Sequence, residues 1–90
     1  MAAFRKRPIL IEAVQWTNNP APSSLAEIHA MGCAPLFAAD GTAALILKTL
    51  DGDMRAEVGD WIIRGVKGEF YPCKDDIFRA TYEEVDDAAR

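Results

Sequence analysis

The fold of this chain is decided by the stretch Leu45-Ile46-Leu47-Lys48-Thr49-Leu50-Asp51-Gly52-Asp53-Met54-Arg55-Ala56-Glu57-Val58. Its Asp51-Gly52 pair readily adopts the positive φ values of a type I′ turn and separates two segments of alternating apolar and polar residues. The stretch therefore predicts a β-hairpin in which Thr49 lies opposite Met54. That register gathers these apolar side chains on one face, which we expect to belong to the core: Leu45, Leu47, Met54, Ala56 and Val58.

Segments on both sides of this hairpin predict further strands. Residues 9–16 are rich in branched apolar side chains and predict a strand. Residues 17–22 predict a loop, because two prolines and two asparagines cannot continue a ladder. On the C-terminal side, a glycine-bounded loop at residues 65–68 joins strands predicted at residues 61–64 and 69–73.

Two short amphipathic helices are predicted. Ser24 and Glu27 have the capping-box spacing at the start of the first helix, and Gly32 supplies a left-handed residue at its end. Residues 75–85 repeat apolar side chains at near-helical spacing and predict the second helix, in which the Asp75 carboxylate is a candidate N-cap. Residues 36–39 predict a short strand between the first helix and the hairpin.

These elements predict an α+β domain, in which a mostly antiparallel sheet of four to five strands carries two short helices. Residues 1–90 are too few for two cores, so we expect a single domain with residues 1–7 and 86–90 as flexible ends. A chain of this size buries a limited fraction of its surface, which favours a homodimer. Ile46 and Leu50, on the second face of the hairpin, are candidates for its interface.

The composition excludes several classes of function. The net charge is −4, so long-range attraction to nucleic acid or to an anionic membrane surface is not expected. No apolar run approaches the ~18 residues of a membrane-spanning helix, and the N-terminus does not have the pattern of an export signal. The wide separation of Cys33 and Cys73 favours reduced thiols in a cytoplasm over a disulfide framework or a zinc site.

Residues with catalytic or metal-binding chemistry are few. His29 is the single histidine, and no partner stands at the spacing that a metal site or a catalytic triad requires. Lys74 favours a reactive thiol at Cys73, although no histidine accompanies it. The acidic residues of the hairpin suggest a magnesium site, but the predicted register pairs them with Lys48 and Arg55. We therefore predict no enzyme activity, no bound metal and no cofactor.

One loop has the composition of a binding site. Its glycines allow a ligand to approach the backbone, its cations attract phosphate or carboxylate, and its aromatic rings offer flat contact area. The candidate contact residues are Arg64, Gly65, Lys67, Gly68, Tyr71 and Lys74, with Trp61 beside them. The segment suits a nucleotide-sized or a peptide-sized ligand. A tight hairpin with core aromatics and solvated cations explains the same residues without a ligand.

Two segments, which together cover nearly half of the chain, carry a family resemblance. They are Phe4-Arg5-Lys6-Arg7-Pro8 with Ile11-Glu12-Ala13-Val14-Gln15-Trp16, and Gly59-Asp60-Trp61-Ile62-Ile63-Arg64-Gly65-Val66-Lys67-Gly68-Glu69-Phe70-Tyr71-Pro72-Cys73-Lys74 with Asp76-Ile77-Phe78 and Thr81-Tyr82-Glu83. Both are similar to a family of small accessory proteins of tailed bacteriophages and prophages. Val58 and Asp75 stand where that family often has proline, and both positions suit a turn or a helix start. The resemblance implies a protein that acts in an infected bacterial cell, and it transfers no catalytic residue.

Two functions are carried forward from the sequence. The first is a non-catalytic binding protein that engages a host bacterial protein in the host cytoplasm and alters host physiology, for example by inhibiting growth. The alternative is a protein that sequesters a small molecule, namely a nucleotide signal used in bacterial immunity. Enzyme activity is the least favoured function, because it requires a specific set of catalytic residues and neither the predicted fold nor the family resemblance provides one.

Overall fold

The chain folds into two antiparallel sheets of three strands each, with two short helices, in a computed structural model that describes residues 1–5, 7–17 and 23–85. Most of the predicted loop at 17–22, Lys6 and the acidic tail at 86–90 lie outside the described residues. The elements in chain order are β1 (Glu12–Gln15), α1 (Ser23–Ala30), β2 (Leu36–Phe37), β3 (Leu45–Thr49), β4 (Gly52–Ala56), β5 (Trp61–Arg64), β6 (Phe70–Cys73) and α2 (Asp75–Thr81). The predicted α+β class is confirmed, although the strands are six rather than four or five.

The first sheet has the order β1-β5-β6, so that β1 and β6 are its edge strands. Val14 lies beside Ile62, which lies beside Pro72. Pro72 has no N–H to donate, and an edge strand is where a sheet tolerates proline. Alternate residues of β5 face opposite sides of this sheet. Ile62 faces the core with Val14, whereas Ile63 is buried on the other side.

The second sheet has the order β2-β3-β4 and contains the predicted hairpin. The predicted register of this hairpin is wrong by two residues, since Thr49 lies opposite Gly52 and Met54 lies opposite Leu47. The turn consists of Leu50 and Asp51, and Gly52 follows it with a φ of 106°. A left-handed glycine after a two-residue turn is the arrangement of a G1 bulge, which replaces the predicted type I′ turn.

A slip of two residues keeps every side chain on its predicted face, because side chains alternate with a period of two. Leu45, Leu47 and Ala56 are buried, as predicted. Met54 and Val58 are 40% and 49% exposed, so their assignment to the core is wrong. The predicted cross-strand pairing of charges is confirmed for Lys48, whose Nζ lies 3.1 Å from Asp53 Oδ2, whereas Arg55 pairs with Glu57 along the same strand.

Helix α1 ends at the predicted glycine. Gly32 has a φ of 103°, its N–H donates to the His29 carbonyl, and the Cys33 N–H donates to the Ile28 carbonyl. These two bonds form a Schellman motif, in which the residue after the glycine packs back against the helix. Ile28 and Cys33 both belong to the buried core, so the motif also directs the chain out of the helix into the protein interior.

The beginning of α1 differs from the prediction. Ser24 is not an N-cap, because it lies inside the helix and is buried. Its hydroxyl donates to the Thr17 carbonyl at 2.9 Å and accepts from the Thr17 N–H at 3.2 Å. A buried hydroxyl gains more from two partners on another segment than from a helix amide that solvent can satisfy. Ser24 therefore ties α1 to the end of β1.

The core lies between the two sheets and α1. Its buried members are Trp16, Ile28, Met31, Cys33, Leu45, Leu47, Ala56 and Ile62, with Val14, Leu25 and Phe70 packed against them. The Trp16 indole donates its N–H to the Ala43 carbonyl at 2.8 Å, which links the end of β1 to the loop before β3. Because Trp16 is buried, this bond satisfies its one polar group.

Helix α2 covers the other side of the first sheet. It has no buried residue, and it is held by the stacking of Phe78 on Trp61, with ring centroids 4.1 Å apart and planes 7° apart. Lys74 is its N-cap residue, so the predicted capping by Asp75 is wrong. The Asp75 carboxylate instead accepts hydrogen bonds from Trp61 Nε1 and Arg79 Nε, both at 2.9 Å, and from Gln15 Nε2 at 3.3 Å.

Candidate functional site

The loop proposed as a binding site is a tight turn closed by its own side chains. The Gly65 N–H donates to the Glu69 carbonyl at 2.7 Å, and the Gly68 N–H donates to the Gly65 carbonyl at 3.0 Å. The Glu69 carboxylate folds back over the turn and accepts from the Lys67 N–H at 2.9 Å. A Cβ on Gly65 would lie 2.5 to 2.7 Å from that carboxyl group. The glycine therefore makes room for Glu69 rather than for a ligand.

The cations of the proposed site do not converge. Arg64 lies next to the turn, where its guanidinium is 3.3 Å from Glu12 on β1. Lys74 lies at the opposite end of the β5–β6 hairpin, where its ammonium is 3.1 Å from Asp60. Asp60 is buried and also accepts from the Glu57 N–H, so it holds a corner of the fold. Phosphate binding requires several cations around one point, and this arrangement separates them.

The aromatic residues of the proposed site support α2. Tyr71 lies on the Ile63 side of the sheet, whereas Arg64 is one residue further along β5 and faces the opposite side. Burial and a hydrogen bond with Tyr82 raise the pKa of Tyr71 to about 12. Trp61 stacks on Phe78 of the same helix. The six predicted contact residues are thus distributed over two faces and both ends of one hairpin.

Three of these six residues, Arg64, Gly65 and Gly68, do line one concave surface. This turn groove has a volume of about 380 Å³, and its other lining residues are Leu10, Ile11, Glu12, Val66 and Val85. Leu10 and Val66 are large apolar side chains that remain 68% and 63% exposed. Apolar residues gathered around a groove are typical of a surface that binds another protein.

A larger groove follows the free edge of β1. This edge groove has a volume of about 690 Å³, and residues 9–14 form its floor. Glu27 and Ala30 of α1 line one side with Met31, while Phe78 and Arg79 of α2 line the other with residues 82–85. It shares Leu10, Ile11, Glu12 and Val85 with the turn groove, so the two grooves are continuous.

The sequence reasoning missed Leu10 and Val85 as surface residues. It assigned residues 9–11 to a strand and Val85 to the apolar stripe of a helix, whereas β1 begins at Glu12 and α2 ends at Thr81. A usable signal was present at Pro8, because proline restricts the residue before it and interrupts the ladder. In the structure the Ile9 N–H donates to the Arg7 carbonyl across Pro8, which makes a γ-turn there.

The other side chains considered for catalysis are His29, Cys33 and Cys73 with its neighbour Lys74. His29 is exposed at the end of α1. Burial raises the pKa of the Cys33 thiol, which lowers its reactivity at neutral pH. The Lys74 ammonium, proposed to activate Cys73, lies 3.1 Å from Asp60 Oδ2.

The described residues form neither a metal-binding cluster nor a membrane-spanning helix. Over residues 1–5, 7–17 and 23–85, no group of three or more His, Cys, Asp and Glu side chains is placed to hold a metal ion. None of the helices in that part of the chain has the length and apolar character needed to cross a membrane.

Comparison with known proteins gives no relative to argue from. No protein-family model, no curated protein and no solved structure matches this chain.

Proposed function

We propose that this chain is a non-catalytic binding protein of a bacteriophage or prophage, which engages a bacterial protein in the host cytoplasm and alters host physiology. The observation that carries this proposal is the turn groove, where exposed Leu10 and Val66 stand beside the Arg64–Glu12 ion pair. An apolar centre with charged groups at its rim is the composition of a protein contact surface. The phage-like segments around residues 4–16 and 59–83 support the bacterial setting.

The nucleotide-binding alternative has less support. It depends on cations that act together, but Arg64 and Lys74 each pair with a carboxylate and stand at opposite ends of the hairpin. Glu69 also places a negative charge over the turn, where a phosphate would have to approach the backbone. Calorimetry with bacterial nucleotides tests this alternative directly, and binding that requires Lys67 would favour it over protein recognition.

The test of the protein-binding proposal is a charged substitution in the turn groove, matched with the same substitution elsewhere. Val66→Asp places a carboxylate at the exposed apolar rim, and we expect it to remove capture of the bacterial partner from lysate. Leu50→Asp is the control, because Leu50 is 98% exposed on the β3–β4 turn of the second sheet and does not line the groove. Equal capture by Val66→Asp and the parent protein would refute the turn groove as the contact surface.

A second variant separates binding from folding. Arg64 and Lys67 are exposed, and the Arg64–Glu12 pair has 45% and 61% side-chain exposure. Such pairs contribute less than about 1 kcal/mol to folding. The double variant Arg64→Ala with Lys67→Ala should therefore keep its melting temperature while it weakens capture or growth inhibition. If full activity remains, the contact surface lies elsewhere, and the basic N-terminal segment is the next candidate.

A further inference from the structure

The edge groove has the features of a site that accepts an extended peptide strand. Its floor includes β1, whose second edge pairs with no strand of the described chain because β1 ends the order β1-β5-β6. Unpaired N–H and C=O groups along a strand edge bind another extended segment readily. Residues of α1 and α2 also line this groove, so a segment bound along the edge of β1 would contact both helices.

The side chains of the edge groove define the chemistry of that segment. Among the described lining residues, four are glutamates, Glu12, Glu27, Glu83 and Glu84, against one cation, Arg79. Arg79 is engaged by Asp75 at 2.9 Å and Glu12 by Arg64 at 3.3 Å. The remaining carboxylates flank an apolar surface that includes Ile9, Phe78 and Val85. The groove therefore suits a segment that carries both basic and apolar side chains.

The chain contains such a segment at its own N-terminus. The arm, defined as residues 1–7, has the sequence Met-Ala-Ala-Phe-Arg-Lys-Arg. Its described residues are exposed, and Phe4 is 95% exposed, so these residues do not fill the groove of their own chain. Among the described residues, none that lines the groove belongs to the arm. Within its described residues, a single chain thus presents a groove with acidic and apolar side chains and a separate arm with basic and apolar side chains.

We propose that the edge groove binds the N-terminal arm of a second copy of this chain, which adds a strand to the free edge of β1. The groove lies close to the point where the arm leaves the folded domain, because residues 9–14, which follow the arm in the sequence, form its floor. Two copies related by a two-fold axis near this point present both grooves to both arms. Seven extended residues reach about 23 Å, which is enough to cross such an interface. The exchange is reciprocal, so it closes as a dimer.

The charge complementarity of arm and groove gives a direct test. Arg5→Glu with Arg7→Glu reverses the arm, and Glu83→Lys with Glu84→Lys reverses the groove. We expect each double variant of the full chain to dissociate, with a dimer Kd at least about tenfold higher in sedimentation than that of the parent. Asp51→Lys with Asp53→Lys is the matched control for the groove reversal, because both raise the net charge by four and Asp51 and Asp53 lie in the β3–β4 hairpin of the other sheet.

Mixing the two double variants separates exchange between chains from docking within one chain. In a dimer of either variant, each arm meets a groove of the same charge. In a mixed dimer of the two variants, each arm meets a groove of opposite charge, so a heterodimer should form. Docking within one chain would leave the mixture monomeric and would overturn the proposal. Backbone amides of β1 should exchange more slowly in the dimer, since the added strand covers them.

Other outcomes also contradict the exchange. A parent protein that stays monomeric at high concentration overturns it, even if a synthetic peptide of basic and apolar residues binds the groove. A dimer that neither reversal weakens overturns it as well and points to the Ile46 face of the hairpin. Val66→Asp provides an internal check, because Val66 does not line the edge groove and its substitution should leave the dimer unchanged.

Discussion

The two helices of this protein have nearly equal length but are held in different ways. Helix α1 inserts Ile28 into the core, where no part of it is exposed, and it ends in a Schellman motif. Helix α2 has no buried residue and lies on the outer side of the first sheet through one aromatic stack and the hydrogen bonds of Asp75. Helices this short have little stability by themselves, so each depends on its contacts.

The difference shows which helix can move without unfolding the protein. Loss of the α1 contacts opens the core that both sheets share, whereas loss of the α2 contacts exposes only one side of the first sheet. Local opening is easiest where few apolar contacts hold an element. We expect α2, which forms one wall of the edge groove, to be the adjustable wall and α1 to be the fixed one.

The largest expected effect is the removal of the isoleucine that anchors α1. Ile28→Ala should lower the free energy of unfolding by about 2 to 5 kcal/mol, because it leaves a cavity in the core. Ile77→Ala in α2 is the same chemical change at a side chain that is 56% exposed, and it should stay within about 0.5 kcal/mol of the parent. Urea denaturation measures both, and equal losses would remove the contrast between the helices.

The next effect concerns the polar tie between α1 and β1. Ser24→Ala leaves the Thr17 N–H and carbonyl without the hydroxyl that they bond. The expected loss is about 1 to 3 kcal/mol, which is the cost of unsatisfied buried groups. Ser24→Thr keeps a hydroxyl and should recover part of the loss if the hydrogen bonds are its cause. Thermal unfolding of the two variants distinguishes this from a change of helix propensity, because propensity alone favours Ala over Thr and predicts the opposite order of stability.

A smaller effect is expected from the aromatic stack that holds α2. Phe78→Leu keeps an apolar side chain but removes the stacking on Trp61, for a loss of about 0.5 to 1.5 kcal/mol. Amide exchange should become faster in α2 and remain unchanged in α1. Faster exchange throughout the protein would mean that α2 does not open as a separate unit.

The smallest effect is a dependence on acid. The hydrogen bond from Trp61 is the main cause that lowers the pKa of Asp75, and Arg79 adds to it. Because the folded pKa lies below the unfolded value, the ionised carboxylate stabilises the fold above the usual Asp pKa of about 3.9. That contribution is lost as the pH falls through the lowered folded pKa. The difference in melting temperature between the parent and Asp75→Asn should therefore be present at pH 7 and shrink in acid; a constant difference would assign it to geometry rather than charge.

The elements were largely predictable because each depends on local chemistry. The hairpins follow from alternation and glycine-containing turns, and the end of α1 follows from Gly32. That Lys48 and Asp53 share one face of the hairpin was also predictable, because a slip of two residues keeps every side chain on its face, but their direct pairing needed the observed register. The register of that hairpin was not, since Asp51-Gly52 suits either a type I′ turn or a bulge, and Gly52 has a positive φ in both.

The candidate site was predictable only in part. The residues around the β5–β6 turn have binding chemistry by composition, but composition cannot show that Arg64 and Tyr71 face opposite sides or that Glu69 covers Gly65. The larger groove involves residues 9–14, α1 and residues 78–85, which are distant in sequence. No pattern of neighbouring residues in the sequence indicates that these three segments lie together in the fold.

By itself the sequence determined the class of the fold, the positions of the hairpins and the stop of α1, because alternation, turn residues and glycine act over a few neighbouring residues. Tertiary structure alone decided that the strands divide into two sheets, that Ser24 bonds Thr17 rather than its own helix, and that Asp75 gathers Gln15, Trp61 and Arg79. It also decided that the free edge of β1 lies open between two helices. The physical reason is that such contacts depend on which distant surfaces bury each other, and many pairings satisfy the same local pattern.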